Sequence, residues 1–238
     1  MVRMHRDTFI QALEELAPPE YADPDDAGRI GLVVEGRKEI RRVACALDAT
    51  PRVVQEACRI PADMLVVHHT PLYYPITRLE GATASLLRDL LSFGMNLYVM
   101  HTNYDRAEGG INDALAEMLG LSGTVRMSLG VVGDCTLTPK KIVGILGCGL
   151  RVHGRVSRIR RLAVVGGSGF EPVLLDEARA LGADAFLSSE IQHHVVRAAP
   201  LPCLEASHYA LEAPGMRRLA EARGWTFLDD PPEVTLIP

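Results

Sequence analysis

Apolar positions along this chain fall into short unbroken runs, each followed by a stretch with helical spacing. An unbroken apolar run bounded by charge and a turn marks a strand buried on both faces, as in parallel sheet. Arg41-Arg42-Val43-Ala44-Cys45-Ala46-Leu47-Asp48 is one such run, and Arg160-Arg161-Leu162-Ala163-Val164-Val165-Gly166-Gly167 matches it in length and polarity. Each leads into a helical pattern, Pro51 to Arg59 or Pro172 to Leu181, and then into a small-Asp step, Ala62-Asp63 or Ala183-Asp184. A second apolar run follows, Met64 to Val67 or Ala185 to Leu187, and a third, Asn96 to Met100 or Cys203 to Ser207. Helices over Ile111 to Leu119 and Pro214 to Arg223 close the two copies. The order β-α-β-(α)-β-α thus occurs twice. It predicts an α/β protein of two similar lobes related by internal duplication, with mostly parallel sheets flanked by helices.

The lobes are expected over 1–125 and 126–238, the first with an extra helix around Ala84 to Phe93. A leading helix is expected from Asp7 to Leu16, with Asp7 as its N-cap and Pro18-Pro19 as its stop. Gly130 to Gly154, rich in Gly, Val and Thr, reads as strands and loops joining the copies. Ligands bind at the carboxyl ends of parallel strands, so two copies facing each other would bring both sets of strand ends to one cleft.

Composition narrows the class. Hydrophobic residues at 47% and charged residues at 23% are ordinary globular values, which exclude a disordered or fibrous chain. Aromatics at 5% argue against recognition by stacked bases, and a net charge of −5 makes nucleic acid an improbable partner. The 5 cysteines include no C-x-x-C pair, and the start carries no signal-like apolar run, so a reduced cytoplasmic protein is expected. No stretch nears the roughly 20 apolar residues that span a bilayer.

The chemistry gathers at predicted strand ends. His68, His69, His101, His193 and His208 stand there, with His194 adjoining and Glu190 close by. One histidine at a strand end is ordinarily a loop cap; this many at matching places points to metal ligation, with carboxylates completing the set. The spacing His101-x-x-x-Asp105 recurs as His208-x-x-x-Glu212. Pro214 and Gly109-Gly110 suggest a strand end and turn at these residues rather than one helical turn. The adjacent His68 and His69 diverge in a regular strand, which suits two ions better than one. Gly166-Gly167-Ser168-Gly169 is either an anion nest or a plain tight turn. There is no Walker A pattern and no G-x-S-x-G, so P-loop and serine-hydrolase chemistry are excluded.

Four segments in order resemble one family, the GTP cyclohydrolase type 2 homologues, also called the NIF-three (NGG-one-interacting factor three) family. They are Val66-Val67-His68-His69-Thr70-Pro71-Leu72, His101-Thr102-Asn103-Tyr104-Asp105 with Gly109 to Asp113, Ser189-Glu190-Ile191-Gln192-His193-His194, and Ser207-His208-Tyr209-Ala210-Leu211-Glu212. The resemblance implies two divalent metal ions per chain, one held by His68 and Asp105, the other by His69 and His208, with Glu212 bridging. His101, His193 and Glu190 are then the groups lining the site as catalytic candidates. It implies a homohexamer, a ring built as a trimer of dimers, in the short form without an inserted domain. The activity implied is water attack on a purine nucleotide or related small molecule. A phosphoesterase and a non-catalytic metal-holding scaffold or carrier with protein partners are the alternatives. Zn, Fe, Mn, Co and Ni all suit such ligands. The sequence departs from the family at Thr70, at Asp26 to Leu32 and at Ser188-Ser189, none of them an implied ligand.

Overall fold

The computed structural model describes residues 3–235. In chain order the first elements are β1 (Met4–His5), α1 (Arg6–Leu16), β2 (Gly31–Val34), β3 (Glu39–Ile40), β4 (Val43–Asp48) and α2 (Pro51–Arg59). Then come β5 (Met64–His69), α3 (Gly81–Phe93), β6 (Asn96–Val99), α4 (Thr102–Arg106) and α5 (Ile111–Met118). The chain continues through β7 (Ser122–Arg126), β8 (Val131–Leu137), α6 (Pro139–Leu146), β9 (Arg151–His153), β10 (Ile159–Val164) and α7 (Pro172–Ala180). It ends with β11 (Ala185–Ser188), α8 (His193–Ala198), β12 (Cys203–Glu205), α9 (His208–Arg223) and β13 (Thr226–Phe227).

Among the described residues two compact units result, one formed by the chain up to Ala107 together with the chain from Met216 onward, the other by 108–215. The boundary expected at 125/126 falls within β7. Leu115, Ala116 and Leu119 bury their side chains among Leu162, Val164 and Leu187, and β7 pairs with β8, so both elements go with the second sheet. At the other end β13 pairs with β4, Thr226 opposite Ala44, which returns the C-terminus to the first sheet.

The first unit has a sheet in the order β13-β4-β5-β6-β2, the second a sheet in the order β7-β8-β10-β11-β12-β9. Within each, three successive strands run parallel, β4-β5-β6 and β10-β11-β12, with an antiparallel strand on the edge of the third. The duplication extends to single atoms. Asp63 accepts from the backbone N–H groups of Arg41 and Arg42 at 2.9 and 3.0 Å, and Asp184 from those of Arg160 and Arg161 at 2.8 and 3.0 Å. Each small-Asp step thus pins the entrance of the strand beside it, satisfying donors that a strand start leaves open. The cores are aliphatic. Val53, Val54, Leu65, Val67, Leu90 and Leu97 are buried together in the first unit, and Phe170, Leu174, Leu175 and Phe186 in the second.

Three local expectations change. The N-cap of α1 is His5, whose Nδ1 accepts from the Asp7 N–H. Residues 139–146 form a helix where only strands and loops were expected, capped by the Thr138 hydroxyl with Pro139 in its first turn. The last helix starts at His208 and carries Pro214 inside it. Proline there forfeits one backbone bond, about 3 kcal/mol, which burial of Leu211, Met216, Leu219 and Ala220 offsets.

Candidate metal centre

In the first unit the parallel register sets Asp48 beside His69 at the carboxyl ends of β4 and β5. The His69 Nδ1 lies 2.8 Å from Asp48 Oδ1. Its neighbour His68 is fully buried, with Nδ1 2.7 Å from the Met100 carbonyl and Nε2 3.4 Å from Asp105 Oδ1. His101 leaves β6 and precedes α4, so Asp105 follows it by one helical turn, its N–H bonded to the His101 carbonyl at 3.1 Å. The His101 Nδ1 is held 2.8 Å from Asp26 Oδ1, and Asp26 also accepts from the Thr102 N–H and hydroxyl. Burial opposes ionisation of Asp26, yet the bonds from His101 and Thr102 outweigh it and hold its pKa below the usual carboxylate range. One ligand atom from each of His68, His69 and His101 lies within 4.8 Å of the others.

In the second unit His208 opens α9 and Glu212 stands one turn later on the same face, Nε2 to Oε2 2.9 Å. The His208 Nδ1 is 2.9 Å from Glu190 Oε2, and the Ser189 hydroxyl donates to that same oxygen at 2.5 Å. Glu190 carries φ 55°, the one non-glycine residue with positive φ among the described residues. Such a conformation costs about 1–3 kcal/mol, and here it turns the carboxylate back toward the imidazole. Burial works against a charged His208, but the bonds and charges of Glu212 and Glu190 prevail and push its pKa up to about 9.

Gly166-Gly167 is neither an open anion nest nor a plain turn. A Cβ on Gly167 would stand 2.1 Å from Glu212 Oε1 and 3.2 Å from His208 Cε1, and one on Gly166 would strike Ile111 at 2.7 Å. The two glycines clear the space that the Glu212 side chain fills.

One regularity tests whether a metal fits. Each of His68, His69, His101 and His208 has its Nδ1 engaged by an oxygen, so in the neutral ring the lone pair that could coordinate a cation is on Nε2, which in His68 and His208 already faces a carboxylate. Imidazoles and carboxylates without thiolate suit divalent ions in sites that keep water. The residues fit a divalent metal.

His193, expected to line the site rather than to ligate, lies elsewhere on the chain's second unit. It opens the short α8, exposed, as is His194, and belongs to no metal-capable grouping among the described residues. The repeated His-x-x-x-acid spacing is also not positional equivalence. Leu97 pairs with Leu65 and Cys203 with Phe186, which are matched positions, so His208 comes one residue later along its strand and helix than His101. Two carboxylates that bond candidate site histidines had no motif to announce them. Asp48 ends an apolar run and was legible only through its register with His69. Asp26 reaches His101 across 75 residues from a segment without a strong pattern.

Comparison with known proteins places these residues in context. The family described as Duf34/NIF3 (NGG1p interacting factor 3) matches residues 4–225. A Streptomyces coelicolor protein called GTP cyclohydrolase 1 type 2 homolog is 35% identical, over 91% of this chain and 87% of its own. A Pyrococcus abyssi protein of the same name is 33% identical, over 91% and 92%. Among solved structures, reduced HcgD from Methanocaldococcus jannaschii is similar at a TM-score of 0.80 and 28% identity, covering 95% of this chain and 98% of that one. A Thermus thermophilus protein gives a TM-score of 0.80 at 27% identity, covering 97% and 100%.

Proposed function

The chain belongs to the Duf34/NIF3 (NGG1p interacting factor 3) family, and from that premise we propose that it is a divalent-metal-dependent hydrolase with a dinuclear centre. The observation that carries this reading is the shared attitude of the four histidines, each with its Nδ1 against an oxygen, which in the neutral ring puts the lone pair on Nε2. In it, as the family resemblance implies, His68 and Asp105 would hold one ion and His69 and His208 the other, with Glu212 as the shared ligand. Bound ions of this kind supply Lewis acidity and a water that ionises near neutral pH. The bond to Asp26 favours the Nδ1–H tautomer of His101, whose Nε2 would then accept a proton from a substrate group. Glu190 acts through His208 rather than on the substrate. The substrate class follows the relatives' name: a purine nucleotide, whose imidazole ring one water would open at C8 and whose resulting formamide a second water would cleave to formate and an amine.

The test is metal content per chain together with formate release from GTP, for the natural protein and for Glu212→Gln. Loss of both metal and turnover in the variant supports the bridging role; full metal content in Glu212→Gln removes it. A second reading, a metal-holding scaffold assembled as a homohexamer, draws on the exposed Tyr73, Tyr74, Ile76 and Leu79 in the segment after β5, an apolar patch suited to a protein surface. Bound metal without turnover on nucleotides or phosphoesters would favour it.

A further inference from the structure

We infer that Asp48 is a positioning residue of the metal centre, the counterpart in the first unit of Glu190 in the second. This inference rests on the metal-dependent reading above.

The duplication exposes it. Strand pairing matches Val43 and Met64 in the first unit with Leu162 and Ala185 in the second. Counting along the strands then matches Asp48 with Gly167 and His69 with Glu190. Each pair lies side by side at the same strand ends, yet the chemistry is distributed differently. In the first unit the strand end of β4 supplies the carboxylate and β5 the imidazole, joined at 2.8 Å. In the second, the β4-equivalent position is glycine because Glu212 occupies its space. The carboxylate has moved across to Glu190, and the imidazole comes from α9 as His208, again joined at 2.9 Å. At these strand ends both units therefore build a carboxylate–imidazole pair, from different elements. Its recurrence after such rearrangement is what a shared task requires.

No local structural duty explains Asp48. The helix that follows is capped by Thr50, whose hydroxyl accepts from the Val53 N–H at 3.1 Å, and Asp230 holds that hydroxyl in turn. The Asp48 carboxylate bonds His69. It fixes the proton on Nδ1, aims Nε2, and makes the ring a stronger donor to a cation. His68 has a neutral carbonyl in that place. The two adjacent histidines are therefore unequal ligands, and the ion held by His69 depends on Asp48.

The experiment uses full-length protein and Zn²⁺ titrated against a chromophoric chelator, for the natural chain, Asp48→Asn and Asp48→Ala. The metal-free melting temperature is recorded alongside. Asn keeps an acceptor for Nδ1–H and loses the charge; Ala loses both. The expected result is a graded loss, about 10- to 100-fold in the affinity of one ion for Asp48→Ala and less for Asp48→Asn. The second ion and the metal-free melting temperature should stay near their natural values. Unchanged affinity in both variants would overturn the inference while leaving the metal-dependent reading standing. Equal loss of both ions with a parallel fall in melting temperature would make Asp48 merely structural and overturn it too. If the natural chain takes up no Zn²⁺, the metal-dependent reading itself fails, and this inference with it.

Discussion

Replacing Gly167 with alanine separates two roles that one glycine serves. Its φ of +67° lies in the left-handed region, so any side chain costs roughly 1–2 kcal/mol of backbone strain. The added Cβ would also sit 2.1 Å from Glu212 Oε1, where real Cβ atoms do not come within 3.0 Å, so the carboxylate must retreat by about an ångström. Gly182→Ala is the matched control: its φ is +81°, and the new Cβ meets nothing closer than the Arg161 side chain at 3.8 Å. Both variants therefore carry the backbone cost, lowering the melting temperature by about 2–4 °C per kcal/mol. Only Gly167→Ala displaces the Glu212 carboxylate. Its Zn²⁺ affinity should fall by on the order of 10- to 100-fold while Gly182→Ala binds as the natural chain does. Thermal melts and chelator competition on the two proteins measure both effects. Equal Zn²⁺ affinity in the two variants would refute the argument that glycine is kept here to make room for Glu212.

Other outcomes follow from the charge environment. His208 in the metal-free protein has a pKa raised from 6.5 to about 9, so it is protonated at neutral pH and its pairing stabilises the fold below pH 6.5, fading as pH rises through about 9. Metal must displace that proton, so apparent affinity should climb with pH up to about 9, and calorimetry at pH 7 in buffers of different ionisation enthalpy should show proton release; no buffer dependence would count against His208 as a ligand. Glu205, buried but bonded to Arg151 and His153, has a pKa below its usual 4.5. Its contribution is present above pH 4.5 and lost as pH falls through the lower folded value, so acid melts of the natural chain and Glu205→Gln should converge at low pH. Burial raises the thiol pKa of Cys45 and lifts that of Cys203 to about 11, so iodoacetamide should spare both in the native protein and modify them only after unfolding.

Much of this molecule was written in its linear pattern, and the reason is periodicity. Buried parallel strands such as Val43 to Asp48 and Ile159 to Val164 must be apolar throughout, so they stand out along the chain, as do the helices between them. The duplication, and with it the placement of His68, His69 and Asp105 in one unit and His208 and Glu212 in the other, was legible for the same reason. What sequence order leaves open is anything decided by neighbours remote along the chain. Asp48 matters because register sets it beside His69, and Asp26 because the fold returns it to His101. Gly167 is conspicuous as a glycine, but only packing reveals that the space belongs to Glu212. His193 shares the residue type and the strand-end position of the others, yet the short turn of α8 leaves it in solvent. The one-residue offset between His101 and His208 is likewise invisible to spacing, because a repeated interval does not say where along a sheet it begins. Residue chemistry and spacing determined which groups this chain has to offer, while the pairing of strands decided which of them meet.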